Sequence, residues 1–334
     1  MPGWKAGKHG LISLVLLANV IFIIYVISNA YRTPNNFSTL TNDGSYNTRN
    51  ITKIVIFTYM RSGSTFFSEL FSQHPDVFYI FEPLRICGCL KHDFDYPKDK
   101  TTIQNAYIKY ILNCDFGNND FLSRVKNNKK CKWKSTFRGV DDVESVPHLC
   151  ASKKIVAIKI IRAESLERVA GVLGSDTALF FLIRDPRGVL NSRKQLPSQN
   201  MYMHMADKLR DMNDLCKMDL ANYEFLQRLS RESASQLHKM PLIKLIQYEH
   251  IAYDPLSIAK KLYEFINIPF HNRVADWINN NTFSGSDQIL HGTKRKSKEI
   301  PNKWRTGLTK EEIHMVHSIK ACAKVVELFG YNNT

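Results

Sequence analysis

The segment Arg61-Ser62-Gly63-Ser64-Thr65 gathers a cation, a glycine and three hydroxyls where an apolar, β-branched run, Ile51 to Tyr59, meets a helical stretch, Thr65 to Ser72. A strand that turns at glycine into a helix leaves the first-turn amides without intrahelical partners. The helix dipole adds to them, so the junction suits an anion such as phosphate. A nucleotide-hydrolase loop would read G-x-x-x-x-G-K-[ST]; here Thr58 stands at the first glycine and Ser64 at the lysine, so a magnesium-nucleotide loop is disfavoured. By itself the segment is equally an ordinary strand-to-helix turn.

A second cluster, FFLIRDPRGVLNSRK, puts Arg184 at the end of a strand and Ser192 eight residues later on the following helix. The forked guanidinium and the hydroxyl can converge on one phosphate, and Pro186 presets the helix start. Asp185, Arg187 and Arg193 read as a solvated, charged helix end. Glu82 closes a short strand, Val77 to Phe81, near the first loop. Burial beside Phe81 and Pro83 would raise its pKa toward the range of a general base, and the competing role is a cap or an ion pair. Lys159 and Arg162 stand at or beyond another strand end, where they bind donor or acceptor or pair structurally. His291, Lys294, Arg295, Lys296 and Lys298 form a basic segment, read as a loop over a cofactor or an acidic-glycan contact, with a solvated run the commoner outcome.

These side chains need elements to carry them. KIVAIKII (Lys154 to Ile161), ALFFLI (Ala178 to Ile183) and PLIKLIQYE (Pro241 to Glu249) read as further strands, with helices over Ser165 to Leu173 and from Pro186. Tyr202 to Ser230 has helical spacing, Pro255 to Ile266 is an amphipathic helix, and Thr309 to Phe329 is a final helix opened by Thr309 with Glu312 three residues on. Strands alternating with helices predict an α/β fold, a central parallel sheet flanked by helices. The Lys- and Asn-rich stretch Ile86 to Leu149 reads as an insertion over the core.

With 334 residues, 44% hydrophobic and 23% charged, the chain suffices for one large domain, and a formal charge of +15 points to anionic partners. Gly10 to Ala30 is an uncharged, mostly apolar stretch of membrane-spanning length behind Lys5 and Lys8. The expected organisation is a cytosolic tail over 1–9, a transmembrane signal anchor over 10–31, a stem over 32–50 and a lumenal domain over 51–334. A basic lumenal domain argues against nucleic acid. Sequons at Asn36, Asn50, Asn280 and Asn332 fit that exposure. The seven cysteines are an odd number, so at least one is expected free or intermolecular, while Cys87-Gly88-Cys89 reads as disulfide material and not as a zinc site. Connectivity, and whether the chain forms a homodimer, stay open at this level.

The motif R-S-G-S-[ST]-F-F at Arg61 to Phe67, followed by Q-x-P-D-V-F-[YF]-x-[FY]-E-P at Gln73 to Pro83, and R-D-P-R-G-[VI]-x-x-S-R at Arg184 to Arg193 together resemble the Golgi carbohydrate sulfotransferases. The likeness is to the branch that sulfates position 6 of galactose, N-acetylgalactosamine or N-acetylglucosamine. It runs from about Lys53 to Tyr331, with further likenesses at Gln247-Tyr248-Glu249, Trp277 to Thr282 and Lys303-Trp304-Arg305. The resemblance implies a P-loop-like sulfotransferase fold, 3′-phosphoadenosine-5′-phosphosulfate (PAPS) as co-substrate, no metal, a glycan or glycosaminoglycan acceptor and a single-pass type II protein of the Golgi membrane. Arg61, Ser62, Gly63, Ser64, Thr65 and Phe66 would hold the 5′-phosphosulfate, with Arg61 neutralising charge on the oxygen that links sulfur to the departing nucleotide. Arg184 and Ser192 would hold the 3′-phosphate, Glu82 would serve as base, and Trp304-Arg305 would help close the site. A short stem and Tyr59-Met60 in place of a Thr-Trp-like pair depart from the pattern. The competing class is a membrane-tethered acidic-glycan-binding protein without turnover.

Overall fold

The computed structural model describes residues 49–85, 100–117, 120–127, 136–137, 139–195, 205–283, 285 and 292–331. The expected tail and anchor, all but the end of the stem, Cys87, Cys89, Cys131, His291 and the sequons at Asn36 and Asn332 lie outside them.

Five β-branched and aromatic runs form strands: β1 (Lys53–Phe57), β2 (Val77–Ile80), β3 (Ile155–Ile160), β4 (Thr177–Ile183) and β5 (Leu242–Gln247). They make one parallel sheet in the order β2-β3-β1-β4-β5. Parallel neighbours require crossovers, so the carboxyl ends of all five strands share one edge. The chain leaves β1 first toward β2 and β3 and later toward β4 and β5, so the loop after β1 sits where the order reverses, the position at which open α/β sheets bind ligands. All seven residues of β4 are buried, as expected of a strand covered on both faces.

The helices that frame the site are α1 (Ser64–Ser72), α2 (Lys100–Leu112), α3 (Leu166–Ala170), α4 (Pro186–Lys194), α5 (Met205–Leu229), α6 (Tyr248–Tyr253), α7 (Pro255–Phe265), α8 (Asn272–Thr282), α9 (Trp304–Gly307), α10 (Lys310–Ser318) and α11 (Lys320–Leu328), with further short helices at Phe121–Asn127, Val146–Ala151 and Ala234–Leu237. Phe71 of α1 stacks on Phe180 of β4 at 5.3 Å, fixing α1 against the sheet. The expected insertion contains α2, whose Ile108 and Ile111 are fully buried.

The final helix departs from expectation. Thr309 and Glu312 do form the reciprocal capping box, but the run breaks at Ile319, whose ψ of 105° is extended. The break re-aims α11 so that Cys322, Val325 and Val326 are buried, and Cys322 bonds Cys216 of α5. A second disulfide, Cys114–Cys150, ties the end of α2 to the short helix Val146–Ala151 that precedes β3.

Candidate active site

Thr58 ends β1 by donating to the Leu182 carbonyl at 2.6 Å, and the chain then turns through two left-handed residues, Arg61 (φ 75°) and Gly63 (φ 86°). Gly63 is the N-cap of α1 and supplies no side-chain cap, so the first-turn amides keep their donors for an external anion. A Cβ at Gly63 would lie 2.1 Å from Cδ2 of Tyr248; only glycine permits both this φ and this approach. Arg61 has no such freedom, and holding it left-handed costs about 1–3 kcal/mol. Its carbonyl accepts from Arg184 Nη1 at 3.2 Å and its Nε donates to Ser192 Oγ at 3.0 Å.

Arg184, at the end of β4, is 7% exposed and lies over the Tyr248 ring at 4.5 Å. Among the described residues its buried Nε has no hydrogen-bond partner. Asp185 and Arg187 correct the solvated helix end expected of them. Asp185 caps α4 by accepting from the Arg187 amide at 2.8 Å and pairs with the Arg187 guanidinium through Nε and Nη2. Arg187 also donates to the Tyr331 carbonyl at 2.6 Å and covers the Trp304 ring at 4.0 Å. The pair is buried because the C-terminal end of the domain folds over it. Arg193 is half-buried as well and donates to the Met60 carbonyl at 3.4 Å. Trp304 sits in the core under Arg187, and its neighbour Lys303 lines the cavity.

Glu82, just past β2, is a further left-handed non-glycine residue (φ 48°). Lys159 Nζ lies 3.0 Å from Oε1 and Arg162 Nη1 lies 2.5 Å from Oε2. Burial pushes the carboxyl up, but Lys159 and Arg162 outweigh it and hold Glu82 below its ordinary range. The expected upward shift is therefore corrected: two cations reach the buried site along with the carboxylate, and Glu82 is ionised at neutral pH. Lys159 also reaches Thr65 Oγ1 at 3.3 Å, linking α1 to Glu82.

Among the sequence-predicted residues, Arg61, Gly63, Ser64, Thr65, Phe66, Glu82, Arg184 and Ser192 line one cavity of about 340 Å³. Ser62 is 3% exposed and lies behind the wall. Among the described residues, the cavity wall carries six cations, Arg61, Arg85, Arg162, Arg184, Arg295 and Lys303, against a single carboxylate, Glu82. Burial, then Arg184, Arg295 and Arg193, pull the Arg61 guanidinium below its ordinary value. Such clustering is unfavourable unless an anion completes it. Arg295, from the basic segment, thus reaches the site: its amide donates to the Asn281 carbonyl at 2.9 Å, and Ser297 anchors the same segment to the Ala252 carbonyl at 2.7 Å. Tyr248, the ring beneath both Gly63 and Arg184, received no role from the sequence. Its only signal there was the Gln247-Tyr248-Glu249 likeness.

Residues 51–328 match the model of the sulfotransferase domain family. The chain is 26% identical over 339 residues to carbohydrate sulfotransferase 1 of Danio rerio, covering 86% of this chain and 79% of the relative. It is 26% identical over 365 residues to carbohydrate sulfotransferase 3 of Tetronarce californica, covering 95% and 81%. Among solved structures, the sulfotransferase domain from the curacin biosynthetic pathway aligns with a TM-score of 0.45 at 16% identity, covering 81% of this chain and 98% of that one.

Proposed function

The chain belongs to the sulfotransferase domain family, and on that premise we propose that it transfers a sulfuryl group from PAPS to the 6-hydroxyl of a GlcNAc, Gal or GalNAc residue in a glycan or glycosaminoglycan. The observation that carries the reading is the excess of cations around the uncapped start of α1, with Arg184 Nε buried and unpartnered. Those donors fit a ligand bearing a phosphosulfate and a separate phosphate. PAPS, when bound, supplies the sulfuryl group and the leaving phosphate.

The chain's own residues then divide the work. The amides at the start of α1 and the Ser64 and Thr65 hydroxyls bind the 5′ end, and Arg61 places its charge where the leaving oxygen becomes negative, the interaction that lowers a barrier most. Arg184 and Ser192 bind the 3′-phosphate. Glu82 takes the proton of the acceptor hydroxyl. Because Lys159 and Arg162 keep it ionised, it is always ready to accept but is a weak base, so the proton moves as the new S–O bond forms. Positioning and electrostatics supply most of the catalysis, as in phosphoryl transfer.

The sugar acceptor is suggested by the curated relatives, both of them carbohydrate sulfotransferases. Two disulfides favour an oxidising compartment, and with the apolar stretch Gly10 to Ala30 they support a type II anchor in the Golgi membrane. The test is a panel of defined glycans incubated with PAPS, the product position read by mass spectrometry. Sulfation at a 6-hydroxyl, abolished by Arg61→Ala in a folded protein, is the expected result. Heparin-like chains bound without turnover or PAPS protection would replace it with a glycan-binding role.

A further inference from the structure

Arg193 is adjacent to Ser192 but does not line the cavity. Its guanidinium points the other way, with Nη2 donating to the Met60 carbonyl at 3.4 Å and Nη1 reaching Met212 Sδ at 3.8 Å. Met60 immediately precedes the left-handed Arg61, whose own carbonyl is held by Arg184. Two consecutive carbonyls of the first loop are therefore clasped by two guanidiniums from the second segment.

Behind Arg193 stands α5. Met212, Asp219 and Asn222 recur on one face of it at helical spacing, and all three are buried. Burial pulls the Arg193 guanidinium below its ordinary value, with Asp211 and then Asp219 opposing, while burial also holds the Asp219 carboxyl well above its own ordinary range, so Asp219 is a weak counter-charge. Asn222 donates to the Tyr59 hydroxyl at 2.7 Å and accepts from the Leu166 amide at 2.9 Å. The same helix is tied to α11 through Cys216–Cys322, and the Cys322 sulfur contacts the Met212 carbonyl. The loop residues Tyr59 and Met60 thus rest on a braced helix face, Tyr59 through Asn222 and Met60 through Arg193, the link between that face and the backbone.

We infer that Arg193 is a positioning residue for the proposed sulfuryl transfer: set against Met212 of α5, it holds the Met60 carbonyl so that Arg61 is fixed where the leaving group's charge develops. The assignment rests on the proposed function for its catalytic consequence, while the clasp itself is a property of the folded loop. A misplacement on the order of 1 Å at such a site costs up to about a hundredfold in rate.

Hydrogen exchange on the intact chain tests the clasp without turnover. In Arg193→Gln the amides of residues 58–66 exchange at least about tenfold faster than in wild type, while those of β5 are unchanged. Kinetics test the consequence: Arg193→Gln lowers kcat about tenfold or more with the acceptor KM unchanged. In an Arg61→Lys background, which keeps a cation but loses the Nε bond to Ser192, the same change costs less than about twofold. Arg193→Lys, which keeps the charge but loses the fork, gives the same pattern and serves if the glutamine variant does not fold. Unchanged exchange over 58–66, or a loss of kcat fully additive with Arg61→Lys, overturns the inference. Absence of sulfuryl transfer by the wild type would instead remove the proposed function, leaving the exchange result to decide the clasp.

Discussion

Gly63 shows how tightly a single position is specified when a left-handed backbone and the close approach of a neighbouring ring coincide. Its left-handed φ sits over the Tyr248 ring, and the smallest side chain would already overlap that ring. Gly63→Ala is expected to destabilise the fold by about 2–6 kcal/mol, from left-handed strain and overpacking together. It should also abolish protection against heat unfolding by 3′-phosphoadenosine-5′-phosphate, which a ligand-dependent melting series measures. Glu82 teaches the complementary lesson. Its neighbours in sequence, Phe81 and Pro83, argue for a raised pKa; its neighbours in space, Lys159 and Arg162, reverse the sign. Nothing in the spacing of Glu82, Lys159 and Arg162 along the chain could have weighed that contest. What the sequence does show is that β2 and β3 end near the same edge, with those three residues at their ends.

At the scale of elements, the sheet order explains why two distant motifs become one site. β1 and β4 are adjacent and in register, Phe57 opposite Phe181, so the loops that follow them leave the sheet side by side and bring Arg61 to Ser192. The clustering depends on α4, α5 and α11 standing firm behind those loops, and the Cys216–Cys322 bond joins two of them across 106 residues. Closing a loop of that length restricts the unfolded chain by about 4–5 kcal/mol in the entropic account. A Cys216→Ala/Cys322→Ala double variant is expected to lose about 2–5 kcal/mol in denaturant unfolding and to exchange faster across α5. Strand and helix identities were readable because the periodicity was strong. The break at Ile319 was not, because a change of helix direction is decided by what α11 must reach, the buried face of α5.

For the whole molecule, two buried carboxyls, Glu249 and Asp219, are raised by burial and both make stability fall as pH rises; Glu249 is the one whose value defines a window. Glu249, at the start of α6, accepts from the Asp185 amide at 3.0 Å. Burial first, then Asp185, push its pKa from 4.5 to about 7, with Arg184 opposing. A raised carboxyl binds its proton more tightly folded than unfolded, so this stabilising contribution is full below pH 4.5 and is lost as pH rises to about 7. The loss amounts to about 3 kcal/mol. Stability of the ligand-free protein toward heat is therefore expected to fall between about pH 5 and 7, and Glu249→Gln should make that part of the profile shallower, leaving the share of Asp219. A profile unchanged by the substitution would assign the dependence elsewhere.

The sequence by itself determined the strand-turn-helix at Arg61 to Thr65, the second strand-to-helix segment with its arginine and serine at Arg184 to Ser192, the alternation that demands a parallel sheet, and the family resemblance that residues 51–328 bear out. Those features are local: a β-branched run, a glycine, a proline and an arginine act through their immediate neighbours. Only the tertiary structure decided that Asp185 and Arg187 are a buried clasp, that Arg295 and Tyr248 join the cavity, and that Glu82 is held ionised. Each of these depends on burial and on charges brought together from separate strands and loops. Electrostatic energy falls off with distance in space, whatever the separation along the chain.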